Sequence, residues 1–495
     1  MGITLSRYEA WGKTVERVPL LGPVVGPIWL ELVPALLTSL MVQGVSGTVK
    51  QIGAQWWGIP PPPRPKSLPA APATCEVSPA VENHEVPEDT VVVTKPTDDS
   101  CKNIVIIGGS VTGIAATLKI RFGCPLPANY RVIIIEKHTH MHYMFAFPRA
   151  SVIPGFENEL FVPYDRLFTT PAEGAVVHAS ATKLTHTHVE LDRHVPGFGT
   201  KIPYEYLIYG AGARHPKPGC LSDEITKDDG INVLKGFQEK IVKSTKVLII
   251  GGGAVGLELA AEIKEHYPEK TVTLVHSRPQ YLQSYKYGLH EKSYAILNKF
   301  GVNQILGDRV VLPEGGFKDD GKMTITCTKQ GREIESDLQI LCTGMTPNSG
   351  LLAGLSPKSI NPESKYVRIK DTMQIDDDEF PNIFAAGDVT DSTDIKTGVS
   401  AFAHAHLAID NVVRMINGLA EGKERKDIEL VHKDPVMPQI LLYLGSSQGV
   451  AQVAHNKFLY TASSWFVRKF FSYNVNAGRA WEWANMPLTE ATVNL

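Results

Sequence analysis

Closely spaced cysteine pairs are missing from this chain of 495 residues. Its six cysteines (Cys75, Cys101, Cys124, Cys220, Cys327 and Cys342) nowhere form a C-x-x-C pair. That excludes a zinc ribbon and a disulfide framework, and it suits a reducing compartment. It also excludes two neighbouring cysteines as an electron relay. An excess of positive charge is missing too. With 49 basic and 52 acidic residues the net charge is −3, which leaves no surface built to neutralise a nucleic-acid backbone, so no nucleic-acid partner is expected. Metal ligands are equally sparse. His138, His140 and His142 alternate, but no Asp, Glu or Cys completes a set, so no metal site is expected. What remains is an ordinary soluble composition, 43% hydrophobic and 20% charged, in a chain long enough for two or three cores.

The first 100 residues differ from the rest. Between Val18 and Val42 there is a single charge, Glu31, with prolines at 19, 23, 27 and 34. The length suffices to span a bilayer, while the prolines and the central acid disfavour a straight spanning helix. A signal or transit peptide fits poorly, because Glu9 and Glu16 are mixed with Arg7, Lys13 and Arg17 and no small-residue cleavage site follows. The segment, within residues 1–60, is read as a membrane-associated hairpin or interfacial element. Gly2 with Ser6 fits the N-myristoylation pattern. One acyl chain binds membranes only marginally, so the apolar segment would supply the second signal to membrane lipid. Residues 61–100, opened by Pro60–Pro63, read as a linker.

From Cys101 onward the pattern is α/β. An apolar strand ending at Ile107, a glycine turn, a helical run to Phe122 and a strand ending at Glu136 form one βαβ unit. The same order returns at Lys246–Ile250, Gly251–Gly256, Leu257–His266 and Thr271–His276. Two such units imply two doubly wound, Rossmann-like nucleotide domains. The expected division is 101–240 with 346–430 for FAD, an inserted 241–345 for NAD(P)H, and a small C-terminal segment 431–495.

The second glycine turn is complete, with Gly251, Gly253 and Gly256 at G-x-G-x-x-G spacing between strand and helix. The first has Gly108, Gly109 and Gly113 but carries Ser110 at the middle position, where bulk obstructs a pyrophosphate. Glu136 offsets this. An acid at that strand end hydrogen-bonds a ribose hydroxyl. The second unit has no such acid; its strand end reads His276, Ser277, Arg278. An arginine there pairs with a 2′-phosphate, which tilts the choice between NADPH and NADH toward NADPH, although Arg278 before Pro279 also fits an ordinary turn. Asp388, after a short strand, suits the hydroxyls of a ribityl chain. The aromatic stretch from Trp465 to Trp483 fits core packing better than an acceptor pocket.

These residues together resemble the pyridine-nucleotide flavoprotein reductases, in particular the apoptosis-inducing-factor-like and ferroptosis-suppressor-like group. The resemblance covers roughly 103–470 and rests on RASVIPGF (149–156), on Gly251–His276 with AAEI (260–263), on SDLQILCTG (336–344), and on Gly387-Asp388 followed by Lys396 and His404. It implies that Arg149 serves the cofactor, that Glu258 contacts the nicotinamide nucleotide and that Lys396 lies near the flavin ring, where a cation stabilises added negative charge. The Gly2 pattern is shared within the group. The implied activity is NAD(P)H:quinone oxidoreduction at an intracellular membrane, on the cytosolic face of, for example, the mitochondrial outer membrane or a lipid droplet. Two alternatives stand beside it: a flavin-bound redox-sensing, apoptosis-type interaction protein, and a pathway oxidoreductase acting on another aromatic substrate. Ser110 and the Gly210-Ala211-Gly212 run depart from the group's pattern.

Overall fold

The structure, a computed structural model, describes residues 101–455, 458–465, 467 and 475–485. Gly2, the Val18–Val42 segment and the linker lie outside the described residues. Among those described, no helix is long and apolar enough to cross a membrane.

Two parallel sheets organise this body. The first unit opens with β1 (Lys102–Ile107), α1 (Val111–Phe122) and β2 (Tyr130–Glu136). The second opens with β3 (Lys246–Ile250), α2 (Ala254–His266) and β4 (Thr271–His276). The first sheet runs Ile383–Ala385, Tyr206–Tyr209, β1, β2, Gly174–His178, with every pairing parallel. The second runs Asn303–Leu306, β4, β3, Leu338–Leu341, again all parallel. All four strands of the second sheet fall between Tyr209 and Ile383 in the chain, so the second domain is an insertion in the first.

Parallel sheets covered on both faces need strands that are apolar throughout, and these are. Ile104 and Ile106 of β1 enter one core with Val132 and Ile134 of β2; Val105, Ile107, Ile133 and Ile135 enter the core on the opposite face. In the second sheet Val247, Ile249, Val272 and Leu274 face one side, and Leu248, Ile250 and Val275 the other. A long helix, α3 (Gly398–Ala420), follows the last strand of the first sheet; its Ala405, Ala408 and Ile409 share a core with Ile114, Ala115 and Ala116 of α1.

The C-terminal segment forms an antiparallel sheet of Ile440–Leu444, Gln448–His455 and Phe458–Ala462, then a helix over Ala477–Trp483. Ala477 and Ala480 are fully buried with the first core, Trp481 and Trp483 pack against it, and the Trp481 indole N–H donates to the Glu159 carbonyl at 2.9 Å. These two tryptophans are packing residues. Trp465, by contrast, is exposed, and Phe466, Phe470, Phe471 and Tyr473 lie outside what is described.

Candidate functional site: two dinucleotide loops and the groups between them

Each glycine turn sits at the carboxyl end of its sheet, where doubly wound domains bind ligands. Gly108 has φ +105°, and a Cβ there would meet the Gly210 carbonyl oxygen at 2.4 Å. A Cβ on Gly113 would lie 2.5 Å from the Gly108 carbonyl oxygen. Both positions therefore exclude any side chain. Ser110, the departure from the motif, is the N-cap of α1, but its side chain makes no capping bond, and its Oγ is buried without a hydrogen-bond partner. A buried hydroxyl is costly when unpartnered, and at a helix N-terminus a phosphate oxygen is its natural acceptor. The serine thus adds a donor to the cradle.

Glu136 closes the first loop. One carboxylate oxygen accepts the Gly109 N–H at 2.6 Å; the other accepts the His138 N–H at 2.9 Å and meets His138 Nδ1 at 2.6 Å. Burial alone would raise this acid. The side-chain bond and charge of His138, with the two backbone donors, outweigh burial and bring it down to about 2. It is an anion at every physiological pH, as a ribose-binding acid requires.

The second loop repeats this frame. Gly251 has φ +115°, and a Cβ there would meet the Cys342 carbonyl oxygen at 2.3 Å; one on Gly256 would lie 1.9 Å from the Gly251 carbonyl oxygen. At Gly253 a Cβ would touch nothing within 4 Å. This is open space at the start of α2, fit for a pyrophosphate. Arg278 is exposed and donates to Gln283 Oε1 at 2.7 Å.

The remaining candidates lie on α2 and on the segment that leads from Asp388 into α3. Glu258 on α2 accepts the Tyr443 N–H at 3.2 Å, and burial, reinforced by Glu262, pushes its carboxyl up to about 8. Near neutral pH it carries a proton and can donate a hydrogen bond. Burial also raises the Asp388 carboxyl, against the opposing charges of His215 and Lys396. Lys396 donates to the carbonyls of Thr390 (2.5 Å) and Ser392 (3.3 Å), with its ammonium 5.2 Å from the Tyr366 ring centre. Burial lowers its pKa. His404, two turns into α3, meets Asp394 through Nε2 at 2.9 Å, while its Nδ1 is buried without a partner. Asp394 is also held by Lys433 (2.8 Å) and by the Val436 N–H (2.9 Å). The hydrogen bonds overcome its burial and keep it well below the usual carboxylate range.

Arg149 differs from what the resemblance implies. Its guanidinium is buried and committed to Glu262 (2.7 Å) on α2 and to the Gly445 carbonyl (2.9 Å). The charge joins a segment of the first unit to the inserted domain and the C-terminal sheet, instead of opening toward a cofactor. Sequence reasoning also missed His215 beside Asp388 and the Asp394–Lys433 pair. No motif marks them; only the fold brings them together. His138 supports Glu136, and its ring lies 4.3 Å from that of His142. Among the described residues no group of three or more potential ligands is arranged around a metal.

These features suit a dinucleotide in the first unit: a side-chain-free turn, the unpartnered Ser110 hydroxyl and an anionic Glu136. They define an oxidoreductase with two Rossmann-like domains that uses FAD and NAD(P)H. The chain belongs to the pyridine nucleotide-disulphide oxidoreductase family, whose model matches residues 102–411. Within it the chain is of the apoptosis-inducing-factor-like kind. It is 31% identical to Fe-regulated protein 8 of Mycosarcoma maydis (71% of this chain, 88% of that protein) and 28% identical to human ferroptosis suppressor protein 1 (71% and 88%). The fold is similar to the sulfide:quinone oxidoreductase of Aquifex aeolicus, with a TM-score of 0.57 at 18% identity over 78% of this chain and 92% of that one. Despite the family's description, all five cysteines among the described residues are free.

Proposed function

We propose that the protein moves two electrons from NADH or NADPH through FAD to a quinone-like acceptor at an intracellular membrane. The observation that carries this reading is an aromatic group against the start of α3, two residues past Lys396 in the chain. Phe145 lies so close to Gly398 that a Cβ there would come within 2.9 Å of its ring. Tyr143 packs on Phe145 (5.4 Å between ring centres) and on Trp483 (6.3 Å), and Trp483 on Phe402 (5.1 Å). Phe145 remains 39% exposed, so a flat acceptor can stack there. Among the described residues all five cysteines are free, and none is near another in sequence to form a C-x-x-C dithiol that could take the electrons instead.

FAD, when bound, supplies the two-electron relay between nicotinamide and acceptor. The chain's residues do the rest. Glu258, protonated, would donate a hydrogen bond to the nicotinamide nucleotide. Lys396 would set a half-buried cation where negative charge develops. Converting a quinone to a hydroquinone also takes up one proton beyond the transferred hydride, and the protein must conduct it from water. Myristoylated Gly2 and the Val18–Val42 segment would hold the chain at the cytosolic face of a membrane such as the mitochondrial outer membrane or a lipid droplet, raising the local concentration of a lipid-soluble acceptor.

The test is NADH consumption by the holoprotein with a short-tailed, water-soluble quinone. Addition should accelerate consumption, and Phe145→Ala should raise KM for the quinone several-fold with KM for NADH unchanged. No acceleration by any quinone would remove the acceptor assignment. Full-length protein that stays in the soluble fraction without detergent would remove the tether.

A further inference from the structure

Reducing a quinone with NADH takes up one proton that the hydride does not bring, and α3 carries a titratable group beside the aromatic acceptor site. Gly398, Phe402, His406 and Asp410 follow one another four residues apart in α3. They form one stripe along the helix, with about 6 Å of rise between neighbours. The stripe starts against the Phe145 ring, which a Cβ on Gly398 would meet at 2.9 Å. Phe402 packs on Trp483, 5.1 Å between ring centres, and its ring stands at 70° to that of His406, 5.9 Å away. The stripe ends at Asp410, whose carboxylate pairs with Lys119 of α1 at 2.9 Å, and both of these side chains reach solvent.

His406 Nε2 is buried and has no hydrogen-bond partner among the described residues. Leaving a buried polar atom unpaired is costly, and an imidazole with one open nitrogen can hold or release a proton there. The groups that act on the ring come from two helices. Burial and the Lys119 ammonium lower its pKa below the ordinary 6.5, while Asp410 on its own helix and the Ala115 backbone of α1 favour the protonated form. Arg479 and Glu482 of the C-terminal helix, which carries Trp483, are not among the charges that shift it. His404, one turn toward the start of α3, is already committed to Asp394.

We propose that His406 is the proton donor to the electron acceptor, and that the Lys119–Asp410 pair is its contact with water. A quinone lying over Phe145 and Phe402 presents one oxygen toward the start of α3 and the other toward His406. The hydride that originates in NADH brings two electrons and one proton, leaving a hydroquinone monoanion. The imidazolium N–H bond then breaks and an O–H bond forms on the remaining oxygen, directly or across one water. Neutral His406 takes its replacement proton from water at the Lys119–Asp410 end. The sum is one NADH, one quinone and one proton giving one NAD⁺ and one hydroquinone. This inference rests on the quinone reading of the site and adds the residue that completes its chemistry.

The test compares two acceptors on FAD-loaded, full-length protein: a water-soluble quinone, which takes up protons, and ferricyanide, which takes up electrons alone. In His406→Gln the ratio of quinone rate to ferricyanide rate should fall about tenfold to a hundredfold, with melting temperature and flavin content reporting the fold. The wild-type quinone rate should decline as pH rises through the pKa of the imidazole, and the Gln variant should lose that limb. A readout independent of turnover is NMR titration of the His406 ring, assigned as the imidazole signal missing from His406→Gln. Asp410→Asn removes a charge that favours protonation and should lower the midpoint of that titration. Wild type that reduces no quinone removes the acceptor assignment and this inference together. Quinone reduction by wild type, with ratio and pH profile unchanged in the folded Gln variant, overturns the inference alone. So does an equal loss with both acceptors, or a His406 midpoint indifferent to Asp410.

Discussion

Setting the first nucleotide unit beside the second separates residues that make the loop from residues that read the ligand. Gly108 and Gly251 both have strongly positive φ, and both lie against a carbonyl of the neighbouring strand's extension. Gly113 and Gly256 both pack on the first glycine's own carbonyl. Those positions are the same because the turn cannot close otherwise. The positions that diverge face the ligand: Ser110 against Gly253, and Glu136 against His276. One chain has kept the scaffold twice and changed the chemistry around it.

The sharpest way to break this comparison is to damage one loop at a time. Gly256→Ala forces a Cβ into a carbonyl, and overpacking of this kind costs about 1–3 kcal/mol. Nicotinamide nucleotide binding should weaken about tenfold to a hundredfold while the protein stays yellow. Gly113→Ala should do the reverse, lowering FAD content and sparing nucleotide affinity in the molecules that retain flavin. Calorimetry and flavin release on denaturation read the two. If either variant loses both cofactors equally, the units are not independent sites.

A second break falls at the link between the units. Arg149→Ala leaves Glu262 buried without its cation, and removing one partner of such a pair costs about 3–5 kcal/mol. Thermal melting of the holoprotein should show a drop of several degrees; an unchanged midpoint would mean the pair is not a structural joint. Arg149 also marks the limit of the sequence. Strand order, glycine spacing and the insertion could be read directly, because apolar runs, tight turns and strand-end acids are local signals. The partner of Arg149 lies 113 residues away, and Asp394 meets a lysine 39 residues on. Such pairings are set by how helices pack on sheets, which no spacing encodes. His276 could be seen as the absence of an acid, but its bond to Gly252 could not. Ser110 reads as an obstruction from its size, and the structure leaves its hydroxyl buried without a partner.

The remaining effects come from pH, and they run in opposite directions in the two units. The folded pKa of Glu136 is depressed from an ordinary 4.5 to about 2. Its stabilisation is therefore present above pH 4.5 and lost as pH falls toward 2. The folded pKa of Glu258 is raised from 4.5 to about 8, so its contribution is present below pH 4.5 and lost as pH rises through 8. Melting temperature followed against pH should show Glu136→Gln flattening only the acid limb and Glu258→Gln only the limb between 4.5 and 8. The Gln variant at 258 should also slow NAD(P)H oxidation. Identical pH profiles for both variants would contradict the environments assigned to the two acids.

The division of labour between the units is tested most directly by anaerobic titration of the purified protein with NADH, following visible flavin absorbance. The expected result is about one FAD per chain, bleached by about one equivalent of NADH. A folded protein that cannot be loaded with FAD, or whose bound flavin stays oxidised in excess NADH and NADPH, would contradict it.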